Sequence, residues 1–183
     1  MRILVALVPL LVAACGSDPV SFSAPVGINM KVKSSDVAST AITEDKEITT
    51  ENGNPYGAFV SDATTRLGRA PGRIEVDSAT LLLGAQSTNV TRLEDVFTGV
   101  VDIAFLMNDT NNTYDAGHVT SPTGTGPVTM NHTFDWSQVA ASDQSKIIGG
   151  SFKVILRGPA ATDFASKGAE ASLQVTFTFT AFQ

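Results

Sequence analysis

A run of ten residues, 108–117, is rich in Asp, Asn and Thr and follows a strongly apolar segment. Carboxylate and amide oxygens are the hard donors that calcium prefers in proteins. With Asp109 counted as the first ligand of an EF-hand loop, the sixth position, which requires glycine, is Tyr114. We therefore interpret the run as a hairpin loop that binds no metal, with calcium binding as the alternative. The candidate binding residues are Asp109, Asn111, Asn112 and Asp115.

The chain offers few groups for catalysis. His118 and His132 are its only histidines, and His132 falls on the apolar face of a predicted strand, where an imidazole is usually structural. No serine lies in a Gly-x-Ser-x-Gly turn, and the glycines on either side of Thr125 are followed by Pro127 rather than by a helix. We therefore expect no enzymatic activity and no cofactor. The carboxylates are dispersed along the sequence: Asp62, Asp77, Glu94, Asp95 and Asp102.

The single cysteine, Cys15, lies at the end of an apolar run near the amino terminus. Arg2 precedes ten apolar residues, 3–12, which are too few to span a bilayer as a helix, and two alanines stand directly before the cysteine. Residues 1–15 thus resemble the lipobox signal peptide of bacterial lipoproteins, with Val12 where Leu is more usual. The resemblance implies cleavage after residue 14 and acylation of Cys15, a durable membrane anchor. Because Gly16 rather than Asp follows the cysteine, it also implies the outer membrane.

Composition limits the partners of the mature chain. Removal of the first 14 of 183 residues leaves 169, a length typical of one domain with a substantial core. Loss of Arg2 leaves 11 basic against 18 acidic residues, a formal net charge of −7. Nucleic acids and anionic lipid surfaces require clustered Lys and Arg. We therefore expect no nucleic-acid partner, and we expect membrane contact through the lipid anchor alone.

Alternation of apolar and polar residues predicts β-strands along most of the chain. A change of phase near Ser78 predicts a bulge within one of these strands. The predicted strands cover residues 26–32, 74–83, 97–107, 128–134, 152–156 and 171–181, with a weaker candidate at 48–50. Their apolar face predicts the buried core: Ile103, Phe105, Leu173, Val175, Phe177 and Phe179.

One amphipathic helix is predicted at residues 55–67. Asn54 is suited to the N-cap, Pro55 to the first helical position and Gly68 to the C-terminal stop. Apolar residues, Phe59 among them, recur between these limits at the spacing of a single helical stripe facing the core. A short helical turn at 136–141 and a second short helix at 159–167 are weaker predictions.

Strands without a regular strand–helix alternation indicate an antiparallel all-β domain, either two packed sheets or a squat barrel. We predict an antiparallel β-sandwich of six to eight strands, Ig-like or jelly-roll-like, with the helix covering one end. The predicted organisation is a signal peptide at 1–14, an acylated tether at 15–25 and a β-sandwich domain at 26–183.

These features predict a membrane-anchored bacterial envelope lipoprotein that is structural or binds an envelope protein or glycan through its loops. The mature domain resembles uncharacterised envelope lipoproteins. Two alternatives remain open. The domain could carry a small apolar ligand between its sheets, or it could hydrolyse an envelope polymer with convergent carboxylates or a Ser/His pair.

Overall fold

The computed structural model describes residues 20–183. The predicted signal peptide, Cys15 and the tether as far as residue 19 lie outside the described residues. Within residues 20–183, no helix has both the length and the apolar character needed to cross a membrane.

The described part of the chain forms nine strands and two α-helices, joined by loops and three short 3-10 turns. The strands are β1 (Ser21–Lys33), β2 (Val37–Ala38), β3 (Ala41–Ile48), β4 (Arg73–Leu83), β5 (Val100–Met107), β6 (Thr113–Thr120), β7 (Val128–His132), β8 (Phe152–Pro159) and β9 (Glu170–Phe182). The helices are α1 (Pro55–Leu67) and α2 (Ala141–Gly149), and the 3-10 turns are Ser34–Asp36, Leu93–Asp95 and Trp136–Gln138.

All nine strands belong to one antiparallel sheet in the order β1-β9-β4-β7-β6-β5-β8-β3-β2. The sheet curls into a half-barrel, so its two halves face each other across a common core. The all-β antiparallel class is therefore confirmed. Two separately packed sheets are not confirmed, because β7 pairs with β4 on one side and with β6 on the other, and so joins the halves.

The predicted core is confirmed. Phe59 and the six strand residues predicted to be buried are each at most 3% exposed. Phe105 of β5 lies between the two halves of the sheet, with ring-centroid distances of 5.2 Å to Phe152 and 5.4 Å to Phe177. The alternating threonines of β9 point outward beside these rings, and Thr176 and Thr178 are half-buried.

The predicted helix at 55–67 is confirmed to the residue. The side chain of Asn54 accepts a hydrogen bond from the backbone N–H of Tyr56 at 3.0 Å, and Gly68 ends the helix in the left-handed region at a φ of 72°. The ring of Tyr56 meets Phe152 and Phe179 edge-on, with centroids 5.2 Å away in both cases. Its hydroxyl donates to a backbone carbonyl of α2 at 2.7 Å, so both helices lie at the same end of the sheet.

The predicted bulge is also confirmed. The register of β4 against β9 shifts between Val76 and Ser78, which leaves Asp77 as the extra residue. A bulge changes the direction of a strand and aims its side chains anew. Val76 and Ala79, the apolar residues before and after this shift, are therefore both buried. In a regular strand, residues separated by an odd number of positions would point to opposite faces of the sheet.

The first strand begins earlier than predicted, at Ser21 rather than at residue 26. Residues 21–25 pair with β9, and the ring of Phe22 stacks on Phe59 of α1 at 6.1 Å. Pro25 is tolerated here because β1 is an edge strand, where one row of backbone donors needs no partner.

Three further differences concern the segments with the weakest patterns. Residues 41–48 form a strand although they are mostly polar, because backbone pairing with β8 stabilises β3. Residues 162–168 form turns, so the helix predicted at 159–167 is wrong. The turn predicted at 136–141 is a 3-10 turn capped by Asp135, and α2 follows it directly.

Candidate functional site

The polar run at 108–117 is divided between a tight turn and β6. Its first five residues form the turn, whereas Asp115 lies on β6 opposite Ala104 of β5. The side chain of Asp109 is 84% exposed, 3.8 Å from the Nζ of Lys146, and Asn111 adopts a left-handed φ of 55°. The four predicted binding residues therefore do not converge, because strand pairing draws Asp115 away from the turn.

The turn is attached to α2 through Asp143, which is completely buried. Its carboxylate accepts hydrogen bonds from Thr110 at 3.0 Å, from Asn112 at 2.7 Å and from the hydroxyl of Tyr114 at 2.8 Å. The Nζ of Lys146 lies 3.3 Å from Oδ1 of Asp143, the oxygen that also accepts from Thr110. The side-chain amide of Asn112, predicted as a binding residue, is thus engaged with Asp143 of the same chain. Over the described residues, no group of three or more His, Cys, Asp or Glu side chains is arranged to hold a metal ion.

The charge of Asp143 is stabilised by these contacts. Burial alone raises the pKa of this carboxyl, but hydrogen bonds from Asn112, Tyr114 and Thr110, together with Lys146, outweigh burial and bring the pKa to about 2. Asp143 is therefore ionised at neutral pH. Sequence reasoning missed it because α2 has a weak apolar stripe, although Asp143 and Lys146 stand three apart, as a helical ion pair does.

A surface groove lies where the sheet is incomplete, between β4 and β6. β7 pairs with β4 only at residues 79–81 and with β6 only at Gly117 and His118. After His132 the chain leaves the sheet through the turn Trp136–Gln138. The first halves of β4 and β6 therefore diverge, and the segment 133–138 passes between them.

Three adjoining depressions follow this opening. The first, about 380 Å³, lies between β4 and the turn; the second, about 260 Å³, shares Asp135 with it. The third, about 270 Å³, shares Asp115 and Thr133 with the second. We call them together the acidic groove, defined by the charged and aromatic side chains that line it: Glu75, Asp77, Asp102, Asp115, Asp135 and Trp136.

The groove has a strongly negative lining, because none of its lining residues is Lys or Arg. Asp77 accepts hydrogen bonds from Ser23, at 3.1 Å, and from Thr180, and these contacts fix its orientation. Within the described residues, the carboxylates of Asp102 and Asp115 have neither a hydrogen bond nor an ion pair. These two carboxylates are therefore available to a ligand.

The remaining two carboxylates are engaged locally. Glu75 forms an ion pair with Arg73 at 3.1 Å. Asp135 accepts from the backbone N–H of Ser137 at 2.8 Å, and hydrogen bonding with Ser137 lowers the pKa of Asp135. Both carboxylates add to the negative potential of the groove.

Aromatic groups complete the groove. Trp136 is the only tryptophan of the chain and is half-buried, while the neighbouring Phe134 packs its ring on Phe105 at 5.2 Å. An anchored aromatic surface beside carboxylates can bind the face of a sugar ring or a cationic side chain. His132 and His118 also line the groove. His132 is exposed, which corrects its predicted place on the apolar face, because β7 ends there and leaves the sheet.

No protein-family model matches this chain, and no curated protein matches its sequence significantly. A fold alone does not define a function. The features of this chain that bear on its function are therefore the groove and the sequence around Cys15.

Proposed function

We propose that this chain is a lipoprotein of the bacterial envelope, anchored at the outer membrane through Cys15, with a non-catalytic domain that binds a protein or a glycan. The lipobox-like segment at residues 1–15 supports the anchor. The acidic groove supports binding, and it is the observation on which the proposal rests. It joins five carboxylates and the chain's only tryptophan along one continuous surface.

The strand register supports a position of the groove near the membrane. Ser21 and Arg73 both lie opposite Phe182, so β1 and β4 begin at the same end of the sheet. Only residues 16–20 separate Cys15 from β1, a reach of about 20 Å when fully extended. In this proposal the groove, which begins near the start of β4, faces partners close to the membrane surface.

We also propose that the two halves of the curled sheet act as the two layers of a β-sandwich. Phe105 on one half of the sheet contacts Phe177 and Phe179 on the other, as inner faces of a sandwich do. In this description the halves are two layers joined through β7. The space between them is occupied by contacting aromatic rings, which gives no support to the alternative of an apolar-ligand carrier.

The anchor is tested by expressing the full-length chain in a bacterium with an outer membrane. We expect mass spectrometry to find a mature protein that begins at an acylated Cys15 and sediments with outer membranes. Cys15→Ser should release the domain, whereas the neighbouring change Ser17→Ala should leave it bound. An unmodified Cys15, or a Cys15→Ser protein that remains with membranes, would contradict the anchor.

Binding is tested through Trp136, whose fluorescence reports only on the groove because the chain has no other tryptophan. The full-length protein in detergent micelles is titrated with soluble glycan oligomers and with synthetic peptides. We expect a saturable change in emission with one of these classes, matched by calorimetry. Trp136→Phe provides the control, since it removes the optical signal. The absence of saturable binding by both methods, for both classes, would count against the binding role.

A hydrolase remains the second candidate because Asp102 and Asp115 line the same depression as His118. Convergent carboxylates can provide a general acid and a base. Incubation of isolated envelope polymers with the protein tests this directly. Release of soluble fragments that is lost in Asp102→Asn would favour the hydrolase over the binding module.

A further inference from the structure

The connection between β3 and α1 contains the only Asn–Gly pair of the chain, Asn52 and Gly53. Both residues are exposed in a tight turn, which the backbone N–H of Asn54 closes by donating to the carbonyl of Glu51 at 3.1 Å. Gly53 adopts a φ of 92°, and no atom of the described chain beyond the adjacent residues lies within 4 Å of the place that a Cβ would take. The peptide bond between Asn52 and Gly53 is therefore uncovered.

Neither group of this pair that could react is held by a hydrogen bond. Over residues 20–183, the side-chain amide of Asn52 and the backbone N–H of Gly53 have no hydrogen-bond partner in the protein. Asn89 and Asn112 differ, because their side-chain amides donate to a backbone carbonyl at 3.0 Å and to Asp143 at 2.7 Å. The amide of Asn52 is therefore free to turn towards the backbone that follows it.

This arrangement permits an intramolecular reaction. The backbone nitrogen of Gly53, once its proton has passed to solvent, can attack the side-chain carbonyl carbon of Asn52. A new C–N bond closes a succinimide ring, the bond to the amide nitrogen breaks, and the nitrogen leaves as ammonia with a proton from water. Water then opens the ring at either carbonyl and gives aspartate or isoaspartate. Glycine favours this attack because it has no side chain to hinder the approach of its nitrogen.

The two ends of the turn are fixed, unlike its exposed tip. A Cβ on Gly57 would lie 2.9 Å from the backbone of Thr50, so the first turn of α1 packs directly on that residue. On its other side Thr50 contacts the end of α2, because its hydroxyl donates to the carbonyl of Gly149 at 3.3 Å. An isoaspartate at position 52 adds one carbon to the main chain between these fixed points. The added length falls next to Asn54, the N-cap of α1.

We propose that Asn52 is a site of spontaneous deamidation and that its isoaspartate product weakens the N-cap of α1. Water is the only co-reactant, and no oxidation or reduction occurs. The modification is independent of the lipid anchor and of the acidic groove, whose lining residues lie outside this turn. Asn54 cannot react in the same way, because the nitrogen of Pro55 carries no proton.

The first experiment measures the modification. Full-length protein in detergent micelles is incubated at about pH 6 and at about pH 8, and an unincubated sample gives the background. Trypsin then releases residues 47–66 as one peptide that contains both Asn52 and Asn54. Chromatography with mass spectrometry should find aspartate and isoaspartate at position 52, formed several times faster at the higher pH because the attacking nitrogen must lose its proton. Position 54 should remain asparagine, and Asn52→Gln, which requires a larger ring, should leave the peptide unmodified.

The second experiment measures the effect on α1. After incubation at the higher pH, a population that grows with the isoaspartate content should unfold about 2 to 4 °C below the fresh protein, as a weakened N-cap predicts for a domain of this size. Asn52→Gln treated in the same way should keep its Tm, and so controls for changes elsewhere. Asn52→Asp supplies the new charge without the added carbon. Its Tm should be unchanged or slightly higher, since a negative charge is favourable near the start of a helix.

Persistence of asparagine at position 52 throughout the incubation would overturn the modification site. An unchanged Tm despite accumulated isoaspartate would overturn the effect on α1. An equal fall in Tm in incubated Asn52→Gln, or in fresh Asn52→Asp, would do the same, because neither variant gains the extra carbon.

Discussion

The change Asp143→Ala should destabilise the protein, because it removes a buried carboxylate that holds three segments of the chain together. Asp143 is fully buried and joins the turn after β5, the start of β6 and the first turn of α2. Its removal leaves the donors of Thr110, Asn112 and Tyr114 without their acceptor. It also leaves Lys146, whose side chain is 17% exposed, without its nearer carboxylate.

The magnitude follows from these contacts. Hydrogen bonds to a charged group contribute about 1.5 to 3 kcal/mol each when buried. Thr110 and Asn112 lie at the surface and regain water after the change, which offsets much of their loss. We therefore expect the free energy of unfolding to fall by about 3 kcal/mol. This value lies between the energy of one such hydrogen bond and the summed energy of all three. For a domain of this size that corresponds to a decrease in Tm of roughly 6 to 12 °C.

Urea denaturation followed by circular dichroism measures this change, with Asp109→Ala as the matched control. Asp109 is largely exposed and 3.8 Å from Lys146, so its removal should cost less than about 0.5 kcal/mol. Tyr114→Phe should cost about 1 kcal/mol, because it removes one of the three donors. If Asp143→Ala proved no more damaging than Asp109→Ala, the buried network would not be what holds the turn.

Three further predictions use the same measurements. The folded-state pKa of Asp143, about 2, lies below the unfolded value of about 3.9. The contribution of its charge to the free energy of unfolding should therefore be complete above about pH 5 and should be lost as the pH falls towards 2. A stability difference between the unmodified protein and Asp143→Ala that is unchanged at pH 2 would contradict this. Phe105→Ala should cost about 3 to 5 kcal/mol and Thr176→Ala less than about 1, and equal costs would reverse the assigned faces. Millimolar calcium should leave the unfolding midpoint unchanged, whereas a rise that Asp109→Ala abolishes would establish a calcium site.

The sequence alone predicted the features that depend on local chemistry and on periodicity. The limits of α1 follow from Asn54, Pro55 and Gly68, whose conformational preferences act within a few residues. The buried face of β9 follows from strict alternation, since successive side chains of a strand point to opposite sides. The bulge at Asp77 was visible as a change in that alternation. Each of these signals is contained in neighbouring residues.

The polar strand β3 and the buried Asp143 were decided by tertiary contacts. β3 has few apolar residues, and its pairing with β8 joins positions more than 100 residues apart. Asp143 is an ordinary helical carboxylate in the sequence, and burial against residues 110–114 gives it three donors. Secondary-structure propensity and the alternation of apolar residues depend on neighbouring residues, so they give no information on partners this distant in the sequence.

The acidic groove is also a product of the tertiary structure. Glu75, Asp102, Asp115 and Asp135 are scattered along the sequence, and the sheet order β4-β7-β6-β5 brings them to one surface. The groove exists because β7 is shorter than its neighbours, so the first halves of β4 and β6 lack a shared partner. Composition determined that these carboxylates would be numerous. Only the long-range pairing of strands determined that they would lie together, because strand order depends on contacts between residues far apart in the chain.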